Sequence, residues 1–191
     1  MVIVNKEKWL KYLDVVKQEK IENHEPNYDI IKLFRLYMPP ESHAKILEVA
    51  AGAGVDMVVL RKEGYDVEGI DMNPENIRYA QENFGISIHH QDMHDLKFPP
   101  LSFDGILSIQ TFEHSLSPFI VASEMYRVLR YRGRVFLDTC DPDDDAMWGI
   151  WHPSLLHPRQ IIKLFNMLKF NLVEDLSRKH RTQIVFEKGG D

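Results

Sequence analysis

From Lys45 onward, short apolar runs alternate with longer stretches whose apolar positions recur every three or four residues. These are the periods of strands and of amphipathic helices. Strands are expected at 45–50, 66–71, 86–90, 103–110 and 134–139, with helices at 55–62, from Pro74 to near Phe84-Gly85, and from Ser117-Pro118 through Leu129. Proline suits the first helical position, where its missing N–H is not needed. A further helix is expected over 158–168, followed by strands at 172–176 and 182–187. Only a few polar residues join those last strands, so they should pair antiparallel. Strand–helix alternation of this kind defines an α/β fold. We expect a doubly wound, mostly parallel seven-stranded sheet with an antiparallel last strand and helices on both faces.

Before Lys45 the pattern is helical. Trp9, Leu10, Leu13, Val16 and Ile21, then Ile30, Ile31, Leu33, Phe34 and Leu36, fit two helices broken near residues 23–26 and closed by Pro39-Pro40. Residues 1–40 therefore read as a helical segment that packs on the sheet or caps a ligand site, and 41–191 as the main domain.

Composition narrows the partners. A chain of 191 residues suits one well-buried domain. No run approaches the roughly 18 apolar residues of a membrane span. The opening MVIVNKEKWL is too short in apolar residues for a secretory signal, so a cytoplasmic location is expected. Cys140 is the only cysteine, which excludes an intrachain disulfide and a thiolate metal cluster. A formal net charge of −6 disfavours nucleic acid as a partner. Arg127, Arg130, Arg132 and Arg134, and later Arg178, Lys179, His180 and Arg181, read as a helix end and a hairpin turn; a stripe joining them would mark a macromolecular substrate. A small-molecule substrate is expected, and a homodimer is compatible with the chain.

The chemistry gathers at the carboxyl ends of the strands. Gly52 and Gly54 follow the first strand, where glycine permits positive φ and close approach of a ligand. Glu48 lies near that strand's end, Asp71 ends the second, Asp92 and Met93 follow the third, and Gln110 to Phe112 follow the fourth. Ligands of open α/β sheets bind along this edge, so these groups should converge on one crevice.

This arrangement resembles the class I S-adenosylmethionine-dependent methyltransferases over residues 45–187. The family's acid-x-Gly-x-Gly-x-Gly run falls on Glu48, Ala50, Gly52 and Gly54, with alanine in place of the first glycine. The resemblance implies S-adenosylmethionine as cofactor. Glu48 would lie near its amino-acid end, and the glycine turn would wrap its methionine and ribose part. Asp71, in GIDMNPENI, would bind the ribose hydroxyls, with Met72 beside the adenine. Asp92 would meet the adenine amino group, with Met93 giving a backbone contact, and Gln110 would pass beneath the sulfonium. SEMYRVLRYRGRVFLD resembles the family's helix, turn and fifth strand, although its paired glycines become Arg132-Gly133.

Methyl transfer needs the acceptor held in place and, for a hydroxyl, a group to take its proton. His114, in QTFEHS, has an ordinary pKa near 6.5 that suits such a base. Glu113 could orient it or act in its place. The loop over 140–158 carries Trp148 and Trp151, which could form a substrate wall, and Asp141, Asp143, Asp144, Asp145, His152 and His157. Those acids read more simply as a solvated turn, and His89, His90 and His94 lack further ligands, so no metal site is expected. The function expected is methyl transfer to a small or medium acceptor, oxygen slightly favoured over nitrogen; the alternative is an inactive cofactor-binding or scaffold protein.

Overall fold

The computed structural model describes residues 25–39, 44–144, 147 and 152–190. The first expected helix, Asp145, Trp148 and Trp151 lie outside them. The elements are α1 (Tyr28–Tyr37), β1 (Lys45–Val49), α2 (Val55–Lys62), β2 (Asp66–Asp71), α3 (Pro74–Phe84), β3 (His89–His90), β4 (Phe103–Ile109), a 3-10 turn (Phe112–His114), α4 (Pro118–Val128), β5 (Leu129–Cys140), α5 (Pro158–Met167), β6 (Phe170–Asp175) and β7 (Arg181–Lys188).

The strands form one seven-stranded sheet in the order β3-β2-β1-β4-β5-β7-β6. β1 pairs parallel with β2 and β4, and β4 with β5, whereas β7 runs antiparallel to both β5 and β6. Alternate residues feed two cores. Ile46, Val67, Leu107, Phe136 and Val185 face α1 and α2, where Phe34 meets Phe136 edge-on at 6.2 Å. Leu47, Val49, Ile106, Leu137 and Phe186 face α4 and α5, where Phe165 stacks on Phe186 at 4.2 Å. Strands covered on both faces read as near-continuous apolar runs, as KILEV does.

Two boundaries differ most from the sequence expectation. The third strand is only His89–His90, because Ile86 and Ile88 turn inward instead of joining the ladder. Their side chains pack over Gly54, where an added Cβ would lie 3.2 Å from Ile88 and 3.7 Å from Ile86. The fifth strand starts early: Leu129, directly after α4, already pairs with Phe103 before a register shift. Arg132 takes φ +63 at that irregularity. Lys188 secures the junction, its buried Nζ donating to the carbonyls of Tyr126 and Leu129 at 2.8 Å and lying over the Tyr126 ring at 4.2 Å.

The described part of the N-terminal segment packs on the sheet. Its entry is fixed by Asn27, whose backbone N and Nδ2 donate to the Asp56 carboxylate of α2 at 2.6 and 2.9 Å. Arg134 reaches the carbonyl of Tyr37 at its far end. The arginines of the two basic groups are largely engaged: Arg127 with Glu124, Arg130 with Asp104, Arg134 with Glu187 and Arg181 with Asp138. No helix among the described residues is long and apolar enough to cross a membrane.

Gly133 is the tightest backbone position of the β5 entry. A Cβ there would sit 2.8 Å from the carbonyl oxygens of Arg130 and Asp104, neither of which can swing away. Gly133→Ala is expected to cost about 2 kcal/mol, read as a lower urea midpoint with unchanged slope.

Candidate cofactor and acceptor site

Beyond β1 the chain turns through Ala50 (φ +55), Gly52 (φ +54) and Gly54 (φ +74). The turn is pinned to β2 by the Ala51 N–H donating to the Ile70 carbonyl at 2.8 Å. The glycines serve different ends. Gly54 leads α2 while Ile88 and Ala80 crowd it, whereas a Cβ on Gly52 would meet nothing within 4 Å. Gly52 therefore borders open space where a ligand can approach the backbone. Ala50 adopts the left-handed conformation its missing glycine would have taken easily, at a cost of roughly 1–2 kcal/mol, and the residue is exposed.

Three acids lie buried around this turn: Glu48, Asp56 and Asp71. Asp71 accepts from the Gly52 N–H at 2.8 Å on Oδ2, and from Asn73 N at 2.7 Å and Asn76 Nδ2 at 3.4 Å on Oδ1. Burial lifts its carboxyl above the ordinary range in spite of those donors. Glu48 is pushed well above its ordinary value, first by burial and then by the charges of Asp56 and Asp71. Its Oε2 is buried with no hydrogen-bond partner. An orphaned buried carboxylate oxygen beside an open glycine turn suits a ligand carrying a positive charge and polar hydrogens.

Asp92 sits on the loop after β3. Its Oδ1 accepts from the His94 backbone N at 2.8 Å and from His94 Nδ1 at 2.7 Å. Burial opposes ionisation, yet these hydrogen bonds hold the carboxyl below its ordinary value. Both bonds fall on Oδ1, so Oδ2 remains for a donor such as an exocyclic amine. His94 Nε2 accepts from the backbone N–H groups of Leu116 and Ser117 at 3.1 and 3.3 Å. The imidazole thus belongs to the architecture, tying this loop to the start of α4. Met72 is fixed through its carbonyl, 3.0 Å from His90 Nε2, and Met93 packs against the α4-side core.

Gln110 ends β4 in a left-handed conformation, φ +46. Its N–H donates to the Asp138 carbonyl and its Nε2 to Asp138 Oδ1, each at 2.8 Å, and its Oε1 accepts from the Cys140 thiol. Asp138, fully buried, also takes two bonds from Arg181 at 2.7 and 3.0 Å and one from Gln183 at 2.7 Å. Every acceptor direction of that carboxylate is filled. With its side chain committed, Gln110 can offer a ligand chiefly backbone.

On the acceptor side, Glu113 is buried in the 3-10 turn and His114 is half-buried beside it. The carboxylate's bonds come from Thr139 Oγ1 at 2.7 Å and Cys140 Sγ at 3.2 Å, not from the imidazole. Burial first, and Glu113 next, push the Cys140 thiol up to about 12, so it remains a thiol. The His114 ring lies 4.9 Å from that of His152, which comes from the loop after β5. The structure thus gathers Glu48, Gly52, Asp71, Asp92 and Gln110 on the carboxyl edge of the sheet, with Glu113 and His114 adjoining. Asp138 and Asp56 were not singled out by the sequence, and Arg181 was read only as part of a hairpin turn, not as the partner of Asp138. An acid inside the apolar run VFLDT was the available signal for Asp138, since a buried charge needs partners.

Residues 47–137 match the model of a family described as a methyltransferase domain. The ubiquinone biosynthesis O-methyltransferase of Xylella fastidiosa (strain 9a5c) is 31% identical over 106 residues, which are 52% of this chain and 43% of that protein. The 2-methyl-6-phytyl-1,4-hydroquinone methyltransferase of Synechocystis is 27% identical over 144 residues, 72% of this chain and 44% of that protein. A crystal structure of a SAM-dependent methyltransferase from Aquifex aeolicus superposes with a TM-score of 0.65 at 17% identity, covering 87% of this chain and all (100%) of that one. Over residues 47–137 the chain is similar to a methyltransferase domain, and its fold is that of solved methyltransferase structures. It spans less than half the length of the two curated relatives named above.

Two substitutions test the turn. Ala50→Gly should raise stability by about 1 kcal/mol by relieving the positive φ, measured by urea unfolding. For Glu48 the folded-state value lies above the ordinary 4.5, so its contribution is fully present below that pH and is lost as pH rises through the raised value. Glu48→Gln should therefore be more stable than the parent at neutral pH without ligand, by about 1–3 kcal/mol, with the difference vanishing in acid.

Proposed function

We propose that this domain transfers a methyl group from S-adenosylmethionine to the hydroxyl of a small or medium molecule. The observation that carries the reading is the glycine turn ringed by three buried acids, one with an unpartnered oxygen, opening beside the Glu113–His114 corner. When bound, S-adenosylmethionine supplies an electrophilic methyl group on a positively charged sulfur. Glu48 takes its amino-acid end; Ala50, Gly52 and Gly54 border its methionine and ribose part. Asp71 accepts from a ribose hydroxyl through the remaining lone pair of its Oδ2, Met72 flanks the adenine, and Asp92 Oδ2 takes the adenine amine with Met93 beside it. Gln110, held by Asp138, gives backbone support under the sulfur.

The chain's other work is to place the acceptor and dispose of its proton, and Glu113 and His114 are the groups for that task. Oxygen is favoured by the relatives named for O-methylation. The net charge of −6 and the paired arginines favour a small molecule over nucleic acid. A free, buried cysteine goes with a cytoplasmic location.

Calorimetry with S-adenosylhomocysteine should give micromolar binding, lost by at least about tenfold in Asp71→Ala; no binding to the parent would refute the reading. With an acceptor found by screening phenols and other hydroxylated small molecules, His114→Ala should lower kcat by about 10²–10⁴ while S-adenosylhomocysteine still binds as in the parent. Equal loss of both would assign His114 to cofactor binding instead.

A further inference from the structure

We propose that Glu113, His114 and His152 form a site for a divalent cation of the zinc class, which holds the acceptor oxygen. The proposal rests on the methyl-transfer reading and specifies how its acceptor corner works. Two buried carboxylates flank the end of β5, and they are balanced differently. Asp138 has a bidentate guanidinium from Arg181 and two amide donors. Glu113, 1% exposed, receives only a hydroxyl and a thiol, both uncharged. A buried carboxylate is costly unless a positive charge accompanies it.

The nitrogen ligands are in place. One atom each of Glu113, His114 and His152 lie within 4.8 Å of one another. In a tetrahedral site two ligands at about 2.1 Å from the ion stand roughly 3.4 Å apart, so the three atoms, within 4.8 Å of one another, must draw inward to close the set. His152 Nδ1 donates to the Met147 carbonyl at 2.7 Å, which leaves Nε2 as the nitrogen that carries a lone pair. Metal-binding histidines are usually oriented this way, by a carbonyl or carboxylate on the other nitrogen. The loop is also stitched to the 3-10 turn: Ser154 N donates to the Glu113 carbonyl at 3.1 Å and Ser154 Oγ to the Ser115 carbonyl at 2.7 Å. Thr139 and Cys140 would orient the ligating carboxylate, each of its oxygens keeping a second lone pair.

Two imidazoles and one carboxylate form a zinc-type set with a fourth position open. The occupant of that position is the acceptor hydroxyl. Bound to the cation, its oxygen loses its proton to water at neutral pH more readily than when free. His114 thus acts on the acceptor through the ion instead of as a direct base.

The test titrates the chelator-stripped full chain with zinc chloride by calorimetry, and with cobalt(II) by visible absorption, alongside His152→Ala and Glu113→Gln. Expected are one ion per chain, a tetrahedral cobalt spectrum, and at least a tenfold loss of affinity in each variant. No ion bound by the parent, or affinity unchanged in His152→Ala, overturns the site. His152 lies in a loop, so thermal melting of that variant separates lost ligation from lost folding. S-adenosylhomocysteine binding is measured on the same stripped protein: its persistence without ion binding rejects the metal alone, and its absence rejects the methyl-transfer reading.

Discussion

Glu48, Asp56 and Asp71 are buried at the sheet's carboxyl edge, and the charges of Asp56 and Asp71 add to burial in making an ionised Glu48 costly. Each is handled differently: Asp71 by the Gly52 N–H and two asparagine donors, Asp56 by Asn27, and Glu48 on Oε2 by nothing. Such an arrangement lowers the stability of the free protein and creates a field that favours a cation. S-adenosylmethionine, the cofactor proposed for this edge, carries positive charge on both sulfur and amine, so its binding would repay the strain. Asp71 is central because one oxygen fixes the glycine turn that the ligand must meet.

The rest of the fold presents that edge rigidly. Apolar residues on alternate sides of β1, β4 and β5 anchor helices on both faces, so the carboxyl ends cannot shift separately. Asp138 extends the rigidity to β7: through Arg181 and Gln183 it connects the antiparallel end of the sheet to Gln110. A strained residue such as Gln110 persists only where its surroundings over-determine it. The Asp138 bonds do this, placing a left-handed backbone where the resemblance puts the sulfonium.

Much of the architecture was legible along the chain. The alternation of apolar runs and helical periods gave the strand count and the reversed last strand, and the acids at strand ends pointed to one crevice. Strand limits were less legible where tertiary packing decided them. Ile86 and Ile88 show strand-like alternation, but they pack over Gly54, and Leu129 enters the sheet straight from a helix. The partners of individual side chains were harder still. His94 read only as one of three histidines around the third strand, yet it bridges Asp92 and the start of α4. His152 approaches His114 only because Ser154 binds the 3-10 turn, a contact no local pattern encodes.

The most direct measurement is a crystal structure of the full chain with S-adenosylhomocysteine bound. The ligand's ribose is expected on Asp71, its adenine amine on Asp92 Oδ2, and its amino group within reach of Glu48 Oε2. A ligand bound elsewhere, or Glu48 still without a partner beside it, would contradict the claim that this acidic edge is built for a cationic cofactor.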